Sequence, residues 1–499
     1  MALTLTVEKT AGTDLFQQIA DAIRSAIARG QVCAGQRLPS ARVLAQQLDV
    51  ARGTVDAAYA MLASEGAVIS RRGGGTVVLG KTGAPRVPAA STPFMFACTS
   101  AQLPPPIPLR PRLPALDAFP APLWNRLLAD AARDLAPADR ADPDPAGVGV
   151  LRAAIAGWLT TQRGVPCSAG SVIVTAGFQG ALTLARGVLL ARGDPVWIED
   201  PGHPPVRQAL EAAGARVVPV RMDGDGLRVA SGIAAAPKAK LVVVNPAHHY
   251  PTGVALSLPR RLELLTWASE TGAWVLEDDS DGVFRLAGRA LPTLYSLDRD
   301  RRVIHAGSFS QTMFPALRLG YVVVPDELGE AFQRAARLLT LGQPALEQRA
   351  LANFIARGHF ARHVKRMRRL YAERRGAMIA ALRDQFGEAC VPDLPQDVRR
   401  GVSQGIPQNI PQAIPQGLSQ GLPQGLSQGG LHLIARFPDA PDDTVLAKRA
   451  AAAGLAPVAL SSLAAAHGQG QGLLLAYSNI PADQADDIVS KLKQVIDAA

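Results

Sequence analysis

The sequence predicts a multidomain fold: an N-terminal winged helix-turn-helix, then an α/β body that carries a smaller α+β subdomain. Two short helices joined by a tight turn and followed by a glycine-tipped hairpin predict the first part. Short β-branched runs alternating with helical stretches predict the second. The length, 499 residues, leaves room for about three domains at roughly 150 residues each. Hydrophobic residues at 48% against 19% charged exclude global disorder. The longest uncharged stretches are interrupted by Gly, Pro, Ser, Thr and Gln, so no membrane span is expected. The segment Met1 to Lys9 lacks the basic start and apolar core of a secretory signal, and Cys33, Cys98, Cys167 and Cys390 show neither pairing nor metal-ligand spacing. A cytoplasmic protein without a metal site follows as the expectation.

The first unit covers residues 1–80. Leu15, Ile19, Ile23 and Ile27 recur at helical spacing, giving an amphipathic helix that ends near Gly30. Ser40 caps a second helix, Ala41 to Leu48, with Val43, Leu44 and Leu48 turned inward. The turn Asp49-Val50 leads to a third helix from about Arg52 to Glu65, stopped by Gly66. Val68 to Ser70 and Thr76 to Leu79 then flank Arg71-Arg72-Gly73-Gly74-Gly75, a basic wing. The third helix of such a unit enters the major groove by its N-terminal end, which places Arg52 and Thr54 to reach base edges. Arg37, Ser40, Arg42, Arg71, Arg72 and Gly74 complete the expected contact set, the arginines on phosphates or in the minor groove, where they add affinity and salt dependence. Any one arginine is as readily a solvated surface charge; their joint placement on cap, helix and wing points to double-stranded DNA. The net charge of +10 is compatible with that partner.

Residues 81–122 are dense in Pro and small residues, including Pro104-Pro105-Pro106, and read as an extended linker. Over 123–499 the strand expectations are Val172 to Val174, Val196 to Ile198, Leu241 to Val244, Trp274 to Leu276 and Tyr321 to Val324, in a largely parallel sheet. Residues 401–428 form seven tetrapeptides ending in Gln, such as Gly405-Ile-Pro-Gln408; Pro at that spacing excludes a packed helix, and the composition favours an expanded surface insertion over a polyproline II recognition strip. Strands at Leu431 to Phe437 and Gly472 to Tyr477 and a helix at Pro481 to Ile496 close the α+β subdomain.

Leu38-Pro-Ser-Ala-Arg42, Val50-Ala-Arg-Gly-Thr-Val55 and Arg72-Gly-Gly-Gly-Thr76 resemble the winged helix-turn-helix of GntR-type repressors, with Asp49 where glycine is usual. Val174-Thr-Ala-Gly-Phe-Gln179, Trp197-Ile-Glu-Asp-Pro-Gly202, Tyr250-Pro-Thr-Gly253, Leu276-Glu-Asp-Asp279 and Gly307-Ser-Phe-Ser310 resemble the fold type I aminotransferases. The combination resembles the MocR group of regulators. The resemblance implies a pyridoxal phosphate site: Gly177, Phe178 and Gln179 at a helix N-terminus with Ser308, Ser310 and Arg318 for the phosphate, His203 for stacking, and Asp278, or Asp279 in the neighbouring register, for the pyridine nitrogen.

The departures bear on activity. The resemblance places the Schiff-base lysine where this chain has Gln311, whose delocalised amide nitrogen cannot condense with an aldehyde, and no lysine occurs between Lys240 and Lys365. Ser280 and His203 stand where tyrosines are usual, Tyr250 where the enzymes have Asn, and no arginine lies near Leu460-Ser-Ser-Leu463. These losses read against transamination, with no catalytic residue assigned. The expectation is a DNA-binding regulator whose body forms a homodimer and senses a small-molecule effector, with pyridoxal phosphate, if bound, held noncovalently. The alternatives are a pyridoxal phosphate-dependent aminotransferase with a DNA-binding head, and a body that only dimerises.

Overall fold

The structure, a computed structural model, describes residues 14–71, 75–79, 107–285, 292–391, 429–438, 440–468 and 470–498. The expected wing tip and the 401–428 insertion lie outside the described residues. The chain divides into two units, Met1–Thr99 and Ser100–Ala499.

In the first unit, α1 (Leu15–Ala28), α2 (Ala41–Leu48) and α3 (Arg52–Ser64) enclose a core of Ile19, Ile23, Leu44, Val55 and Leu62. Ser40 Oγ accepts from Val43 N at 3.3 Å, so the expected cap forms. Asp49 ends α2 in the left-handed region, φ 51°, where a short polar side chain is tolerated better than most. Val43 is a correction: it is 47% exposed, and Ala45 faces the core instead, because α2 directs positions 44, 45 and 48 inward. The hairpin pairs β1 (Val68–Arg71) with β2 (Gly75–Val78), Arg71 opposite Gly75.

The second unit opens earlier than residue 123. Leu109 bridges Ala476, its carbonyl accepting at 3.1 Å, Ser478 Oγ donates to the Leu113 carbonyl at 2.6 Å, and Tyr371 Oη bonds Ala115 N at 3.1 Å. Leu109, Leu113 and Ala115 are buried. The stretch from residue 107 is therefore a strap stitched to the body, a correction to the linker expected over 81–122. Its path is irregular, with Leu109 and Arg112 at positive φ and a 3-10 turn at Leu116–Ala118, and it is fixed to the body rather than left as a free spacer.

Beyond the strap come α4 (Ala121–Arg133) and α5 (Gly149–Arg163), then β3 (Val172–Thr175), α6 (Gly177–Leu189), β4 (Pro195–Asp200), α7 (Pro204–Ala212), β5 (Arg216–Asp223), β6 (Gly226–Leu227), α8 (Val229–Ala235), β7 (Leu241–Val244), α9 (Leu258–Thr271), β8 (Trp274–Asp278), α10 (Leu294–Leu297), β9 (Val303–Ser308) and β10 (Gly320–Val323). These strands form one sheet in the order β3-β10-β9-β8-β7-β4-β5-β6. The pairs among β9, β8, β7, β4 and β5 are parallel, while β10 runs antiparallel to both neighbours. β3, β7 and most of β8 are buried on both faces, which explains their unbroken apolar runs. The strands β5 and β9 were not anticipated: Pro219 and Arg221 interrupt the first, and His305, Gly307 and Ser308 lower the apolar content of the second.

After α11 (Gly329–Leu339) and α12 (Ala345–Ala356), the long α13 (His359–Phe386) leads to a three-stranded sheet, β11 (His432–Ala435), β13 (Leu473–Ala476) and β12 (Val458–Ala459) in that order. The helix Ala485–Asp497 covers it. Among the described residues no helix is long and apolar enough to cross a membrane, and no cluster of His, Cys, Asp and Glu has metal-binding geometry.

Candidate functional site

On the first unit Arg52 and Thr54 occupy the first turn of α3, as the motif requires. Arg52 is exposed and pairs only loosely with Asp56, at 3.4 Å. Such an exposed i,i+4 pair is worth a few tenths of a kcal/mol and is exchanged readily for a phosphate or a base edge. Arg37, Ser40 and Arg42 are exposed as well, although Ser40 also caps α2. Arg72 and Gly74 lie outside the described residues, as does the side chain of Arg71.

In the second unit two half-sites meet at the start of α6. The first surrounds Gly177, whose φ of +72° favours glycine. A Cβ there would stand 3.4 Å from Ser308 Oγ and 3.9 Å from Ser310 Oγ, so both hydroxyls border the helix N-terminus. Arg318 Nη2 donates to the Ala176 carbonyl at 3.3 Å, while the arginine stays exposed. Free N–H groups, two hydroxyls and a guanidinium around one glycine suit a dianion.

The second half is a cleft lined by Phe178, His203, Tyr250, Asp278, Asn245 and Arg112, among others. Asp278, at the end of β8, accepts from Ser280 N at 3.0 Å and from Ser280 Oγ, leaving Oδ2 without a hydrogen-bond partner among the described residues. Burial pushes its carboxyl up to about 6, against the opposing field of Arg112. Burial pushes His203 down to about 3, so its imidazole is neutral; it meets the Tyr250 ring edge-on at 5.4 Å, and its buried Nδ1 has no partner among the described residues. Asp279 is committed elsewhere: Arg163 Nε and Nη2 donate to its two oxygens at 2.8 and 2.6 Å, and both side chains are buried. Of the two registers the sequence left open, the structure puts Asp278 at the cleft. Gln179 is half-buried and is not among the residues lining this cleft.

Gln311 is 4% exposed, and its Oε1 has no hydrogen-bond partner among the described residues. A buried amide oxygen left unpaired costs about 1–3 kcal/mol.

Residues 15–78 match the family Bacterial regulatory proteins, gntR family, and residues 129–394 match Aminotransferase class I and II. The chain is 32% identical over 493 residues to the probable rhizopine catabolism regulatory protein MocR of Rhizobium meliloti, covering 95% of this chain and 92% of that one. The chain belongs to the MocR family of regulators. A second MocR-like relative is the pyridoxine biosynthesis transcriptional regulator PdxR of Corynebacterium glutamicum, 29% identical over 74% of this chain and 80% of its own length. An archaeal alanine:glyoxylate aminotransferase shares the fold of the body, with a TM-score of 0.67 at 22% identity over 79% of this chain and 91% of its own.

Class I and II aminotransferases are a pyridoxal phosphate-binding family, and the residues of this MocR-family chain fit the cofactor in part. The glycine cradle fits a phosphate, and Asp278 with its open oxygen fits a protonated pyridine nitrogen. Gln311 does not fit a covalent link. The loop after Leu460 is also spoken for: Asp200 accepts from Ala465 N, Ala466 N and His467 N at 2.6–2.7 Å, and the Ser461 and Ser462 hydroxyls bond Asp443 and the Ala459 carbonyl. Among the described residues that line the cleft the cation is instead Arg112, which sequence reasoning placed in the linker. Its guanidinium carbon sits 5.4 Å from the Tyr250 ring centre, and its backbone holds φ 66°, an unusual conformation for a long side chain. Nothing local marks Arg112, because its reach into the cleft depends on the strap pairing with β13.

Proposed function

We propose that this chain is a DNA-binding transcription regulator whose body dimerises, senses a small-molecule effector and holds pyridoxal phosphate, when present, without a covalent bond. The observation that carries the reading is the pairing of a kept phosphate cradle with a buried amide at Gln311. Gly177, Ser308, Ser310 and Arg318 would hold the phosphate, Asp278 the ring nitrogen, and His203 would pack on the ring. The cofactor supplies an electron sink when bound, but no side-chain amine at position 311 can take part in its carbonyl chemistry. The chain's own residues therefore do binding work: Arg318 neutralises charge, Ser280 keeps Asp278 oriented, and Arg112 offers a cation for a carboxylate-bearing effector. A homodimer would present two heads to two half-sites, and an effector would alter DNA affinity only by its preference for one arrangement. A coupling of about 1–3 kcal/mol suffices for a switch.

The test has two parts on the full chain. Anisotropy titration on DNA from upstream of its own gene is expected to show sequence-preferring, salt-sensitive binding; indifference to sequence ends the regulator reading. Equilibrium dialysis with pyridoxal phosphate is expected to show retention that Arg318→Ala weakens and an absorption spectrum that borohydride leaves unchanged. A borohydride-sensitive band overturns the noncovalent reading, and equal retention by both proteins removes the ligand role.

A further inference from the structure

The charge of this chain sits chiefly outside the head. Residues 1–80 hold eight Lys and Arg against six Asp and Glu, a net of only +2. α13 alone holds eight against two, a net of +6 and more than half of the chain's +10.

Those cations divide by position. In the second half of the helix Arg374 bonds Asp117 and the Ser478 carbonyl, and Arg383 pairs with Glu388 at 3.1 Å. In the first half Phe360, His363, Val364 and Met367 turn inward, leaving Arg362, Lys365, Arg366 and Arg369 exposed. Their spacing of i, i+3, i+4 and i+7 puts them on one face. None of the four has a carboxylate partner among the described residues; Arg362 and Arg366 reach only the carbonyls of Arg357 and Ala118 and the His359 ring. Arg362 with Arg366, and Lys365 with Arg369, are like-charged i,i+4 pairs, an arrangement that destabilises a helix. Beside the stripe opens a cavity of about 390 Å³ lined by Trp158, Gln162, Arg362, Lys365 and Arg368. Low-dielectric walls next to a row of one sign focus the field outward.

We propose that this face of α13 is a second duplex-binding surface, contacting DNA phosphates nonspecifically while the head reads sequence. It rests on the DNA-binding reading above. The stripe spans about 10 Å, seven residues at about 1.5 Å each, which matches roughly three base-pair steps of rise along the duplex axis. Tethered to a head that already holds DNA, it acts at high effective concentration, so weak contacts add appreciable affinity.

The test uses the full chain and a mixed-sequence duplex of roughly 40 bp, with anisotropy measured between about 50 and 200 mM KCl. Lys365→Gln/Arg369→Gln is expected to lower the slope of log K against log salt by about 1.8, which is a loss of about 30-fold in affinity near 0.15 M. Sequence preference should survive. Lys365→Arg/Arg369→Lys should behave as wild type, since it keeps the charge. An unchanged slope in the Gln variant overturns the proposal while the head reading stands. A change of sedimentation with the slope unaltered also overturns it, by making the stripe a contact between chains. Absence of DNA binding by the wild type overturns both readings.

Discussion

Asn substitutions at Asp278 and Asp279 should have opposite effects, although the two are adjacent in sequence. Asp279 and Arg163 form a two-bond ion pair at 2.6 and 2.8 Å with both side chains almost fully buried. Asp279→Asn leaves a buried guanidinium without its counter-charge, and breaking such a pair from one side costs about 3–5 kcal/mol. At about 2 °C per kcal/mol, a low sensitivity fitting a large domain, the body should melt roughly 6–10 °C lower. Asp278 contributes in the other direction. Its carboxyl rises from the ordinary 3.8 to about 6, so its charged form costs roughly 3 kcal/mol of folding free energy at neutral pH, as an upper bound. Because the folded state binds the extra proton between those two values, stability falls as pH rises through that window and stays lowered above it. Asp278→Asn removes the loss: the variant should melt at or above wild type at neutral pH, and the difference should shrink below about pH 4. The assay is scanning calorimetry from acid to neutral pH, with retention of pyridoxal phosphate by dialysis alongside. Retention should drop in Asp278→Asn and hold in the folded fraction of Asp279→Asn. Equal melting of Asp279→Asn and wild type, or loss of the cofactor from Asp279→Asn alone, would refute the division of labour between the two carboxylates.

Gly177→Ala should fold, with a backbone strain of about 1–2 kcal/mol at φ +72°, but should retain pyridoxal phosphate at least tenfold less well, as dialysis would measure. Ser40→Ala should destabilise the head by about 1 kcal/mol through loss of the α2 cap, visible as an earlier melting step of the first unit. Arg52→Ala should relax sequence preference by about 1–3 kcal/mol at one position of the operator, checked by competition among point-substituted duplexes. Gln311→Lys should create a borohydride-sensitive absorption band with pyridoxal phosphate that the wild type lacks, provided the cradle holds the cofactor; a spectrum identical to wild type would count against the assigned cradle.

Much of this protein follows from its chain alone. Helical periodicity, the Ser40 cap and the Asp49 turn define three helices to within about two residues, because those signals are local: a side chain bonding its own backbone, or an apolar face recurring every turn. The doubly buried strands at Val172, Leu241 and Trp274 were legible for a similar reason. That residue 311 is a glutamine, with no amine to offer, is a covalent fact that no fold alters. Tertiary structure decided what depends on distant partners. The antiparallel direction of β10, the burial of Leu109 against β13, the choice of Asp278 over Asp279, and the arrival of Arg112 at the cleft are all set by residues far away in the chain. Arg163, 116 positions from Asp279, removes that carboxylate from the site by pairing with it. Such long-range pairings leave no periodicity or spacing in the sequence, since their energy comes from burial and contacts that exist only after the sheet has assembled.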